Sequence, residues 1–227
     1  MKPTLAEKKE ALTIVQTLLS FNFRNAITYA PDKSGYYYLS FNEWESENGE
    51  LIDRLHIKLA RGASKICILY ENEKWVIKFN IDRSKKPYDT GTNYCRVEYN
   101  NYRAAVGSGF GWNFAEMYSC GKIDGIEVYL QERVRIDENW FESSIYNYLS
   151  SWRPKSEYSN SSKRYDMIED DRENMDVEDF VNAILGEGND DLVEFLESHE
   201  VNDLHSGNWG FTHDGRIVMI DYSGFFG

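Results

Sequence analysis

Strand-like and helix-like segments are segregated along this chain, and that separation constrains the fold more than any other feature. Across residues 57–79, three short runs rich in β-branched and aromatic residues follow one another, with a turn at Gly62 and a second, acidic turn near 71–74. Runs joined by so few residues can only pair as hairpins, so they predict an antiparallel meander. A helix is expected over 93–106, broken at 107–111, and then two strands at 114–119 and 126–131 joined through Gly121 and Gly125. After residues 131–135 the pattern changes. A helix rich in aromatics spans 137–152, and a polar loop with Pro154, Ser159, Ser161 and Ser162 follows at 153–166. Asp176 reads as the N-cap of a helix that carries Val177, Phe180, Val181, Ile184 and Leu185 on one face. Gly186 and Gly188 interrupt it before a helical stretch at 192–196, and two short strands near 208–212 and 217–220 flank the turn His213-Asp214-Gly215.

Ahead of the meander, residues 5–23 have helical spacing of Leu12, Val15, Leu18 and Leu19, residues 36–41 read as a strand, and 43–49 as a polar turn. The fold class expected is therefore α+β and two-lobed, with an antiparallel sheet lobe and a mainly helical lobe. Residues 1–58 form an extension packing on the first lobe, which covers 59–133, and the second lobe covers 134–227.

At 227 residues, 41% hydrophobic and 15% aromatic, the chain has the material for real cores. A formal charge of −13 sets up a field that repels phosphate backbones and anionic lipid, so nucleic acid and membrane surfaces are not expected partners. The N-terminus lacks the apolar run of a secretory signal, and no later stretch has a membrane-spanning length of apolar residues. Cys67, Cys95 and Cys120 are scattered singly, as small buried hydrophobes in a reducing compartment would be. The expected location is cytoplasmic.

Chemistry concentrates in 202–210 and 217–224. Asp203 and Asn208 stand five apart with Leu204 between them, and a strand-turn-strand then delivers Asp221 in front of an aromatic, Tyr222. This spacing resembles the catalytic loop and metal-binding motif of the protein-kinase-like superfamily. The wording Asp-Leu-His-x-Gly-Asn is especially similar to aminoglycoside and choline phosphotransferases. Upstream, Trp75-Val76-Ile77-Lys78 on a strand looks like the family's Val-Ala-Ile-Lys, and Glu98 on the following helix resembles the glutamate that pairs with its lysine. Gly62 occupies the place of the glycine-rich loop, and residues 127–134 resemble the segment joining the two lobes. The resemblance covers the chain from about residue 59 onward.

The resemblance implies a small ATP- and Mg²⁺-dependent phosphotransferase. In it Lys78 holds the α- and β-phosphates, Glu98 holds Lys78, and Asp203 accepts or orients the acceptor hydroxyl. Asn208 and Asp221 bind Mg²⁺. Gly62 and the backbone around Glu132 and Val134 contact the nucleotide, with Gln131 at the back of the adenine pocket. The acceptor is a protein Ser/Thr or a small hydroxyl compound, the second being the aminoglycoside-type reading; the serines at 159, 161 and 162 offer a site of autophosphorylation. The pattern also departs from the family. Val201-Asn202 replaces His-Arg, Ser223 stands where a glycine is usual, and one glycine of three remains in the loop. After Asp221 the given sequence carries no activation segment and no substrate-docking helices, so a protein partner completing that platform is expected. A pseudokinase-like module that binds nucleotide or a partner without catalysis stays open as an alternative. So does an α+β protein in which the short motifs coincide by chance.

Overall fold

The computed structural model describes residues 2–31, 33–86, 91–152, 168 and 171–223. The polar loop expected at 153–166, with Ser159, Ser161 and Ser162, lies outside them, as does Gly224. The fold is α+β. It divides into two compact units: Met1–Tyr102 with Glu116–Arg133, and Arg103–Ala115 with Val134–Gly227.

The first unit is built on a five-stranded antiparallel sheet of β3 (Lys58–Arg61), β4 (Lys65–Leu69), β5 (Trp75–Asn80), β6 (Met117–Ile123) and β7 (Ile126–Glu132), in the order β3-β4-β5-β7-β6. The hairpin β6–β7 turns at Asp124 and Gly125, both at positive φ (47° and 83°), a two-residue turn whose twist matches that of the flanking strands. Gly121, expected in this connection, lies inside β6 where the register shifts. The strand itself starts at Met117 instead of 114, because Phe114 and Ala115 belong to the second unit.

Side chains alternate across a strand, so the sheet has two distinct faces. Ile66, Ile68, Ile77, Phe79, Val128 and Leu130 make one face, all of them buried. The N-terminal segment covers it with α1 (Leu5–Ser20), α2 (Phe23–Ala26), α3 (Phe41–Glu47) and α4 (Gly49–Arg54). α1 starts at a capping box between Thr4 and Glu7, and its Ala11, Val15 and Leu18 have no exposed surface. Phe23 is the hub, with ring centroids 4.4 Å from Trp44 and 6.1 Å from both Phe41 and Phe79. The polar turn expected at 43–49 is thus corrected to two short helices. Phe41 and Trp44 stand three apart, which puts both on the inner side of one turn, and that burial outweighs the polar residues around them. Of the strand expected at 36–41, only β2 (Tyr37–Tyr38) forms, paired with β1 (Ala30–Pro31).

The other face of the sheet carries Lys65, Lys78, Tyr129 and Gln131, and here α5 (Tyr94–Ser108) begins. Its start is fixed by polar side chains. The Tyr94 amide donates to Asn80 Oδ1 (2.9 Å), and the Arg96 amide to Asn93 Oδ1 (3.0 Å). Glu127 on β7 receives Arg96 Nε at 2.8 Å, Tyr129 O–H at 2.9 Å and Asn93 Nδ2 at 3.0 Å. The Arg96 guanidinium in particular holds the Glu127 carboxyl down at about 2, against an ordinary 4.5.

The second unit contains the end of α5, α6 (Glu138–Trp152), α7 (Val177–Leu185), α8 (Asp190–Ser198) and the antiparallel pair β8 (Trp209–Phe211) and β9 (Ile217–Met219). α7 begins at the expected Asp176, whose side chain caps the Asp179 amide while Asp179 returns the bond, and ends at Gly186 with φ 87°. Residues 103–115 belong here because Phe110 and Phe114 pack on Phe195 (5.4 and 5.9 Å), Phe114 meets Tyr222 edge-on at 5.1 Å, and the Ala115 amide donates to Met219 O. On the hairpin's other flank, Trp140 and Phe141 of α6 pack on Phe211. Gly210 sits where a Cβ would lie 2.9 Å from Val134 Cβ, so only glycine lets β8 approach that segment.

Candidate functional site

Lys78 and Glu98, 20 residues apart in sequence, meet in the first unit. Strand parity turns Lys78 away from the apolar face of β5, and α5 presents Glu98 to it. Lys78 Nζ donates to Glu98 Oε1 at 2.9 Å and lies 2.8 Å from Oε2; the Glu98 side chain has no exposed surface and that of Lys78 is 5% exposed. Lys78 also donates to Gln131 Oε1 at 3.2 Å, which places Gln131, expected near the nucleotide, in the same cluster. A second lysine joins them. Lys65 Nζ donates to Glu98 Oε1 at 2.8 Å, with its side chain 7% exposed. Charges this deep persist only when paired and hydrogen-bonded, so the cluster is a committed piece of structure. Next to it, burial first and the Glu98 carboxylate second push the Cys95 thiol well above its ordinary value, which keeps it a neutral filler.

Gly62 and Lys65 close the β3–β4 hairpin, the Gly62 amide donating to Lys65 O at 3.0 Å. A Cβ at Gly62 would meet nothing closer than 3.9 Å, so neither space nor backbone conformation demands glycine there. The amide of Glu132 donates to Glu116 O (2.7 Å) and that of Arg133 to Lys74 O (2.8 Å). In the second unit, Arg135 and Phe211 exchange backbone bonds of 2.8 and 2.9 Å, and the Val134 amide takes part in none of these.

The other candidate residues lie in the second unit on the stretch between α8 and β9. A left-handed Glu200 (φ 55°) ends α8, the Val201 amide reaching back to Leu196 O at 2.9 Å and that of Glu200 to Glu197 O at 3.0 Å. This C-terminal turn buries Val201 to 1% exposure, so packing anchors the loop where a histidine is missing. Asn208 Nδ2 donates to Asp203 O at 2.6 Å across a short 3₁₀ turn, Ser206–Asn208. The Ile220 amide donates to Asn208 O at 2.9 Å, and this bond ties Asn208 to the residue preceding Asp221. Asp221 Oδ1 accepts from Ser223 Oγ at 3.1 Å. His205 Nδ1 accepts from the Gly207 amide at 3.1 Å, so its remaining N–H is on Nε2, which lies 4.0 Å from Asp203 Oδ1.

No family model matches this chain, and no curated protein matches it.

Asn208 and Asp221 of the second unit carry oxygen donors of the hard type that Mg²⁺ would take. With its amide nitrogen committed to Asp203 O, Asn208 has its carbonyl oxygen to offer, and Asp221 adds a carboxylate; both are hard oxygens. Among the described residues no group of three or more His, Cys, Asp or Glu is arranged to hold a metal alone. Mg²⁺ bound with phosphates has no need of such a group, because phosphate oxygens and water complete its shell. Among the described residues, too, no helix is long and apolar enough to cross a membrane.

Sequence reasoning named Lys78, Glu98 and Gln131 and passed over Lys65. The signal for Lys65 was strand parity: it shares a face of β4 with Cys67, which pairs with Lys78 across the β4–β5 ladder.

Proposed function

We propose that this protein is an ATP- and Mg²⁺-dependent phosphotransferase that passes the γ-phosphate to a hydroxyl acceptor, either a protein Ser/Thr or a small molecule. The observation that carries the reading is the buried Lys78–Glu98 pair, strand lysine to helix glutamate at 2.8 Å. In sequence, Trp75-Val76-Ile77-Lys78 resembles the family's lysine-bearing strand and Glu98 the helix glutamate that pairs with that lysine. In this reading Lys78 holds the nucleotide phosphates and Glu98 fixes the lysine's direction. Asn208 and Asp221 hold Mg²⁺, which when bound neutralises phosphate charge. Asp203 orients the acceptor hydroxyl and takes its proton as the oxygen bonds to phosphorus and the bond to ADP breaks.

The test separates chemistry from binding. Wild type should bind Mg²⁺-ATP in calorimetry, more weakly as Asp221→Asn, and should transfer labelled γ-phosphate to itself, to a lysate protein or to a panel of small hydroxyl compounds. Asp203→Ala should keep nucleotide affinity and lose about 10²–10⁴-fold in transfer rate. A wild type that binds no nucleotide refutes the proposal. If both proteins bind ATP and neither transfers phosphate, the protein is a binding module without catalysis. One observation already favours that second reading: the Gly62 amide is spent inside its hairpin, where a phosphate-covering loop would present it outward.

A further inference from the structure

Two lysines, from different strands, end on one carboxylate oxygen. Lys65 Nζ and Lys78 Nζ approach Glu98 Oε1 to 2.8 and 2.9 Å, and both side chains are more than nine-tenths buried. The β4–β5 register explains the convergence. Lys65 pairs with Asn80 and Cys67 with Lys78, so the two lysines sit on one face of adjacent strands, offset by two residues. Asn80 then caps the α5 amide of Tyr94 at 2.9 Å, so the lattice that places Lys65 also places the helix bearing Glu98. Two buried ammoniums held side by side repel each other, and an anion that reaches both relieves that repulsion. The group best suited to use two ammoniums side by side is an anion whose charge is spread over linked phosphates.

We propose that Lys65 is a second phosphate-binding lysine, working beside Lys78 on the same polyphosphate with Glu98 as their shared anchor. The proposal rests on the phosphotransferase reading and extends it. Lys78 alone does not define the phosphate grip, and substituting it leaves Lys65 in place with Glu98 to orient it. The ligand class is a polyphosphate chain: the triphosphate of ATP, or inorganic tripolyphosphate as its minimal mimic.

The experiment measures affinity for Mg²⁺-ATP and, separately, for inorganic tripolyphosphate in the full chain, on wild type, Lys65→Met, Lys65→Arg, Lys78→Met and the double Met variant. Thermal melting verifies that each is folded. Each single Met variant should bind both ligands about 10- to 100-fold more weakly, the worth of one hydrogen bond to a charged group. Lys65→Arg, which keeps the charge, should recover most of the loss, and the double variant should bind neither ligand measurably. Where Lys65→Met fails to fold, Lys65→Gln takes its place, and a folded Lys65→Gln that binds both ligands as wild type does overturns the proposal. If Lys65→Met is folded and binds as wild type while Lys78→Met is impaired, Lys65 is structural and only this inference falls. If wild type binds neither ATP nor tripolyphosphate, the phosphotransferase reading falls and this inference with it.

Discussion

Replacing Glu98 by Gln keeps the shape of the side chain and removes one charge from the centre of the first unit. That carboxylate faces two ammoniums at 2.8 Å, and none of the three side chains is more than 7% exposed. At an effective dielectric near 20, each contact is worth about 6 kcal/mol of Coulomb attraction. Most of this is offset by the cost of taking the ions out of water, and removing one member of a buried pair costs about 3–5 kcal/mol net. Glu98→Gln deprives two lysines at once, so its cost should reach or exceed the top of that range, about 5 kcal/mol. Lys65→Met and Lys78→Met each leave the carboxylate one ammonium, and each should cost less, below about 3 kcal/mol. Natural domains have only about 5–15 kcal/mol in all, so Glu98→Gln should be marginally folded at neutral pH. Urea unfolding followed by the fluorescence of the buried Trp44 and Trp75 reads these differences in one unit. The reasoning is refuted if Glu98→Gln costs no more than either lysine variant, for then the carboxylate is not the anchor of both.

The remaining predictions concern the two supports of the candidate residues. Glu127, which pins the start of α5, has a folded pKa of about 2 against 4.5, and a carboxyl lowered in this way contributes stability that is full above about 4.5 and lost as pH falls toward 2. Urea midpoints measured between pH 6 and 2.5 should therefore fall for wild type and fall less steeply for Glu127→Gln; parallel curves would contradict the role given to Arg96. At the end of α8, Glu200 holds a left-handed conformation that glycine adopts without penalty. Glu200→Gly should stabilise the second unit by about 1 kcal/mol, raising its melting temperature by roughly 2–4 °C. An unchanged or lower melting point would mean that the Glu200 side chain contributes something its backbone does not reveal.

Much of the local structure was legible before any coordinates. The meander of β3 to β5, the helix bearing Glu98, the capped start of α7 at Asp176 and the β8–β9 pair all follow from side-chain period, turn residues and caps, which act within a few residues of chain. Where burial competes with local chemistry, the sequence misleads. The polar run at 43–49 became α3 and the start of α4 because Phe41, Trp44 and Leu51 had an apolar sheet face to cover, and that face exists only once the strands are paired. The same limit applies at the candidate site. Lys78 and Glu98 were paired through their resemblance to a family's strand lysine and helix glutamate, not through any local signal. That Lys65 and Gln131 join them depends on which residues stand opposite across β4, β5 and β7. Register is a property of paired strands: a slip of one residue would have turned either side chain to the other face of the sheet. So the sequence by itself determined most of the elements and the kinds of residue at the candidate site, because propensity and period are local. Only the tertiary structure decided that two lysines share one buried carboxylate and that the Gln131 amide oxygen joins one of those lysines, because strand register and burial are properties of the assembled sheet.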